Sequence, residues 1–138
     1  MEALAAAVTP LNRCPCGTGE TLDECCGRLH SGEAKAATAE QLMRSRFSAF
    51  AVGDEAYLLS SWHSSTRPAE LDLDPGQRWT ALEIIGKSRG GPFDKEGTVE
   101  FRAHYREGRT AGVLHENSTF TRENGHWVYV DGTQSPRG

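Results

Sequence analysis

The chain has 138 residues, 37% hydrophobic and 25% charged, which suits one globular domain with a small appended module. Its formal net charge of −4 argues against broad binding to nucleic acid or anionic membranes. No run approaches the ~20 apolar residues that span a bilayer, so no membrane partner is expected.

In chain order, "MEALAAAVTP" is apolar but carries Glu2 and lacks the basic start of a secretory signal. It reads as a flexible tail over residues 1–10, and the protein is expected in the cytoplasm, where disulfides are rare. Residues 11–30 follow as a separate module. They include "CPCGTGETLDECCG", with all four cysteines of the chain at the spacing Cys14-x-Cys16-x8-Cys25-Cys26. Four thiolates satisfy a tetrahedral Zn2+, and Fe2+ suits the same ligands. Gly17 and Gly19 can take the positive φ that a tight metal loop demands. Thr21 and Glu24 have the spacing of a capping box, which predicts one helical turn carrying Cys25 and Cys26 and ended by Gly27. Disulfides and inert thiols are the competing readings. Adjacent cysteines make strained bridges, and four thiols in so polar a segment serve no core. His30 is a further possible ligand, although four cysteines already complete a site.

This segment resembles the SEC-C motif, a small zinc-binding element found at the end of the SecA translocation motor and attached to many unrelated bacterial proteins. The resemblance implies Cys14, Cys16, Cys25 and Cys26 as ligands, and a docking role toward other proteins.

Residues 28–37 are small and polar and read as a linker into a second domain over 31–138. Thr38 and Gln41 form a second capping box, and Leu42, Met43, Phe47 and Phe50 recur at helical spacing up to Gly53. Asp54 is placed to cap a short helix through Leu59. "WHSSTRPAELDLDPGQ" is loop-like. From Arg78 the period changes to two. "RWTALEIIG" predicts a strand, and "GGPFDKEG" a turn. "TVEFRAHYR" alternates with Val99, Phe101, Ala103 and Tyr105 on one face. "TAGVLHENSTFTRE" predicts a long strand, Asn124-Gly125 a hairpin turn, and "HWVYVDG" a last strand with Trp127, Tyr129 and Asp131 opposite Val128 and Val130.

Helices followed by an antiparallel meander predict an α+β fold in which helices pack on a curved sheet and enclose a cone. The blocks "LMRSRFSAFAVGDEAYLLSSWHSSTRP", "VEFRAHYR", "LHENSTF" and "WVYVDG", together with the cysteines, resemble the YchJ family of small bacterial proteins. That resemblance implies a SEC-C element ahead of a nuclear-transport-factor-2-like (cystatin-like) domain in a cytoplasmic protein, and implies no particular reaction.

Within the cone, Leu114 and Phe120 on the core face place Glu116 and Ser118 there too, because alternation fixes the face. A carboxylate there needs a partner or a proton. Arg44, Arg46, Arg67 and His63 are candidate partners. Glu116, His63 and Tyr57 are candidates for acid–base work, and Trp62, His63, Arg67, Glu116 and Ser118 are candidate pocket residues. A structural ion pair of Glu116 with an arginine of the first helix is the alternative, and the opposite register would bury His115 and Asn117 instead. Three functions follow. The first is a non-enzymatic adaptor whose zinc element docks a protein partner. The second is a cofactor-free isomerase, dehydratase or hydrolase acting in the cone. The third is a ribosome- or nucleic-acid-associated factor using Arg44, Arg46, Arg102 and Arg106 on outer faces, which the acidic charge disfavours.

Overall fold

The computed structural model describes residues 12–134, so the tail expected over 1–10 lies outside the described residues. The chain begins with a miniature hairpin. Cys14 N donates to Glu20 O at 2.7 Å, and Leu22 N donates to Asn12 O at 2.8 Å. Between these arms, Gly17 and Gly19 turn the chain at φ of 93° and 94°, conformations that cost other residues a steric penalty.

The next element differs from the sequence expectation. Thr21 Oγ1 accepts from Glu24 N at 3.3 Å, but this closes only a turn. The helix, α1, runs over Cys26–His30. Gly27 therefore lies inside the helix instead of ending it. A Cβ there would sit 2.6 Å from Leu22 O, so glycine is required by close backbone approach. The proposed linker is shortened accordingly, because residues 28–30 are helical and Leu29 is buried.

α2 (Ala39–Val52) starts where Thr38 Oγ1 accepts from Gln41 N at 3.1 Å. Gln41 Oε1 in turn accepts from Ala37 N at 2.7 Å, one residue earlier than in a standard capping box. The helix ends at Gly53, with φ of 76°, where Asp54 N returns to Ala49 O. Asp54 then caps α3 (Glu55–Ser60) by accepting from Tyr57 N at 3.0 Å.

Four strands follow as an antiparallel meander in the order β1 (Gln77–Arg89), β2 (Glu96–Glu107), β3 (Thr110–Glu123) and β4 (His126–Gln134). The β3–β4 turn has positive φ at both Asn124 (56°) and Gly125 (83°), the pairing that matches strand twist in a two-residue hairpin. One-residue bulges at Thr80 and Ile85 in β1 and at Val130 in β4 add twist and curl the sheet around α2. The bulge at Val130 corrects one expectation. Tyr129 pairs with Phe120 but Asp131 pairs with Thr119, so Asp131 leaves the face of Trp127 and Tyr129 and is exposed.

The core lies between α2 and the concave face of the sheet. Leu42, Met43 and Phe47 meet Val99, Phe101 and Phe120, all buried. Truncating a fully buried ring such as Phe120 costs about 3–5 kcal/mol by lost transfer energy plus the cavity left behind. α2 is buried on further sides as well, since Ser45, Arg46 and Ser48 are all enclosed. Each of these three is explained by a neighbour: Ser45 by Tyr57, Arg46 by α3, and Ser48 by the cysteine module.

Candidate metal centre and cone cavity

The hairpin delivers Cys14 and Cys16, and the start of α1 delivers Cys25 and Cys26. The four sulfurs all lie within 4.8 Å of one another, and three of the residues are buried. None is in a disulfide. Cys16 and Cys25 are 3.7 Å apart and Cys25 and Cys26 are 4.0 Å apart. A tetrahedral site with metal–sulfur bonds of about 2.3 Å needs edges of about 3.8 Å. Two edges match this length and the remaining sulfurs lie within 4.8 Å, so the donor set is able to hold a metal ion.

Crowding also makes these thiols a poor resting state without a cation. Donation from Cys16 and Cys26 pulls Cys14 far below the usual thiol range. Serving as donors to Cys14 pushes Cys16 up to about 11 and Cys26 higher still. A divalent cation would replace the remaining protons and offset two of the four thiolate charges.

The module is tied to α2 by polar contacts. Arg44 Nη1 donates to Cys16 O at 2.7 Å, and its Nε bonds Glu40 at 2.9 Å. Ser48 Oγ lies 3.2 Å from Cys14 Sγ. His30 Nε2 lies 2.8 Å from Ser45 O, so His30 faces α2 and not the sulfurs. Val52 packs on the cysteine cluster.

The cone holds a separate cavity of about 130 Å³. Its wall is largely apolar, with Met43, Phe47, Phe50, Trp79 and Leu114 among its residues. The register of β3 puts Glu116 and Ser118 on this wall, and Arg46, Trp62 and Tyr129 complete it. Glu116 has no cation within ion-pair distance among the described residues. Burial raises its pKa, and the charge of Arg46 only partly offsets this. Arg46 is 3% exposed and lies against the rings of both Trp62 and Tyr129, 5.0 and 4.5 Å from their centroids. Its Nη1 donates to Leu58 O at 2.8 Å and Ser61 Oγ at 2.7 Å. Burial lowers Arg46 to about 10, still a cation at neutral pH, and raises Tyr129 to about 12.

The candidate residues are therefore divided. Trp62, Glu116 and Ser118 line the cavity, whereas His63, Tyr57 and Arg67 do not. His63 Nε2 lies 3.8 Å from Glu123 on the far side of the β3–β4 hairpin. Tyr57 is spent on Ser45, 2.6 Å away, and stacks near His30. Arg67 donates to Trp62 O at 2.8 Å. Arg46 is in the core, not on an outer face, and Arg102 is opposite Glu83 at 3.7 Å. The sequence offered Arg46 as a partner for Glu116 but did not single out Tyr129 as part of the same cavity. The spacing Leu42, Arg46, Phe50 along one helical stripe was the available signal.

Comparison with known proteins bears on the same residues. A family model described as "YchJ, middle NTF2-like domain" matches residues 38–132. A UPF0225 protein of Streptomyces coelicolor is 57% identical over 123 residues, covering 89% of this chain and 96% of its own. One from Corynebacterium glutamicum is 58% identical over 120 residues, covering 87% and 95%. The solution structure of a SEC-C motif containing protein from Rhodopseudomonas palustris superposes with a TM-score of 0.77 at 34% identity, covering 89% of this chain and 98% of that one. The crystal structure of a SEC-C motif containing protein from Psychrobacter arcticus gives 0.74 at 25% identity, covering 94% and 86%. The family model ends at the module's border, while the relatives and solved structures run through it. On both parts together the chain belongs to the YchJ family, in which a SEC-C element precedes a nuclear-transport-factor-2-like domain.

Proposed function

We propose that this protein is a zinc-dependent adaptor of the cytoplasm. Zn2+ held by Cys14, Cys16, Cys25 and Cys26 fixes the amino-terminal module, whose outer face docks a protein partner. The observation that carries this reading is the set of four sulfurs within 4.8 Å of one another in a segment otherwise poor in buried apolar groups. Such a segment gains its order from the metal. Four sulfur ligands leave no open position for substrate, which suits a structural ion. The exposed rim of the module carries Glu20, Asp23 and Glu24 against Arg13 and Arg28, a slightly acidic balance that favours a protein partner over nucleic acid. Two measurements test this. Elemental analysis of protein purified without chelator should give one zinc per chain and separates zinc from iron. An affinity capture with the metal-loaded protein should retain a protein that the Cys25→Ser, Cys26→Ser variant loses. A protein free of metal with four titratable thiols overturns the reading.

A second reading places acid–base chemistry of the isomerase, dehydratase or hydrolase type in the cone. It is favoured by Glu116, a carboxylate on the cavity wall whose pKa burial raises. His63 and Tyr57 contribute nothing to it from their positions. Turnover of small substrates that Glu116→Gln abolishes would support it over the adaptor.

A further inference from the structure

We propose that the cone cavity binds a small organic acid, its carboxylate held by Arg46, Ser118 and Tyr129 and its body, about one six-membered ring in size, held by Phe47, Phe50 and Trp79. This goes beyond the metal module and requires no reaction.

The polar side of the cavity has unused hydrogen-bonding capacity. Ser118 is 1% exposed, and its Oγ is the one enclosed side-chain oxygen or nitrogen without a partner among the described residues. A hydroxyl in that state is costly unless something supplies a partner. Arg46 spends only Nη1, on Leu58 O and Ser61 Oγ. Its Nε and Nη2 make no hydrogen bond within the described residues and are not among the fully enclosed atoms, and the side chain borders the cavity. Tyr129 borders the same cavity, and its hydroxyl makes no hydrogen bond within the described residues. A structural role for Arg46, tying α2 to α3, accounts for Nη1 alone. Arg46, Ser118 and Tyr129 border one cavity and each can donate, and donors beside a buried cation favour an anionic acceptor.

Size and charge narrow the class further. An apolar cavity of about 150 Å³ admits benzene, so about 130 Å³ suits one ring or a short aliphatic chain. Phe47, Phe50 and Trp79 provide the apolar wall. An ammonium ligand is disfavoured because it would meet Arg46. The groups facing Glu116 are Arg46 from α2 and Tyr129 from β4, while β1 and β2 present Trp79, Phe101 and Ala103. A bound carboxylate therefore adds a like charge beside Glu116 and drives it to take up a proton. Binding should weaken as pH rises.

The test is titration of the full-length, metal-loaded protein with benzoate, hexanoate, benzyl alcohol and benzylamine, followed by calorimetry and by NMR of the Trp62 and Trp79 indoles. The expected result is that benzoate or hexanoate binds at least tenfold more tightly than benzyl alcohol, with no binding of benzylamine. Indole shifts should accompany binding. Affinity should fall between pH 6 and pH 8 in the wild type. In Glu116→Gln that fall should vanish, with binding at pH 8 at least threefold tighter than in wild type. Ser118→Ala should weaken binding about threefold without unfolding the protein, and Ala103→Leu should abolish it by filling the cavity. Equal binding of benzyl alcohol, preferential binding of benzylamine, weaker binding by Glu116→Gln, or silence from both acids overturns the proposal. These readouts do not depend on turnover or on any docking partner.

Discussion

Arg44 Nη1 donates to the carbonyl oxygen of Cys16 at 2.7 Å, across 28 residues of sequence. One side chain of the cone domain thereby holds the loop that carries Cys16, one of the four clustered thiols. The bond is charge-assisted and half-buried, the kind that contributes about 1.5–3 kcal/mol. Arg44→Met keeps the stem and removes the donor. It should lower the midpoint of thermal unfolding of the whole chain and speed zinc loss to a chelator, measured with a colorimetric zinc indicator. An unchanged rate of zinc release would show that the metal alone holds the loop.

Gly27 bears on the same site from the other side. A methyl group there meets Leu22 O at 2.6 Å, and backbone cannot yield as a flexible side chain can. Gly27→Ala should displace α1 relative to the hairpin and move Cys25 and Cys26 away from Cys14 and Cys16. Zinc content per chain should fall below that of wild type after identical chelator challenge, with the helical signal of α2 retained. Gly125→Ala, placed at φ of 83° far from the sulfurs, is the control. It should cost about 1 kcal/mol and leave zinc retention unchanged.

Glu116 makes stability depend on pH. Its folded pKa is raised by burial, so the folded state favours the protonated form more than the unfolded chain does. The contribution is fully present below the unfolded value of about 4.3 and is lost as pH rises through the folded pKa. Glu116→Gln should therefore melt at about the same temperature as wild type in acid and at a higher temperature at pH 8. Calorimetric scans across that range check the sign. A variant that melts lower at pH 8 would mean that Glu116 is held by a charge partner, the situation in which removal costs about 3–5 kcal/mol.

Ser118 offers a separate check on the cavity. Its hydroxyl is enclosed and unpartnered, so in the ligand-free protein Ser118→Ala should be neutral or stabilising by up to about 1 kcal/mol. Denaturant titration measures this. Destabilisation by more than about 1 kcal/mol would reveal a partner for the hydroxyl.

Much of this organisation was legible in the chain itself. The cysteine spacing marked a cluster able to hold a metal ion, because two short segments separated by a glycine turn bring four sulfurs together. Thr38 and Gly53 bounded α2, and Asp54 marked α3, because caps satisfy backbone groups within a few residues. The alternation of β2 put Val99 and Phe101 on the core face, but for β3 the register burying His115 and Asn117 stayed open until the pairing of Phe101 with Glu116 decided it. Other features depended on contacts distant in sequence. The bulge at Val130, which turns Asp131 outward, comes from how β4 meets a curled β3. Gly27 looked like a helix terminator until its approach to Leu22 O was seen. His63 and Tyr57 were plausible cavity residues by position, but Glu123 and Ser45 hold them elsewhere. Arg46 read both as a partner for Glu116 and as an outer-face cation, and the choice rests on Trp62, Tyr129 and the carbonyl of Leu58, none of them neighbours in the chain. Periodicity and caps are properties of adjacent residues and so belong to the sequence. Which polar groups share one enclosed space depends on distant segments meeting, and only the packed tertiary structure decides it.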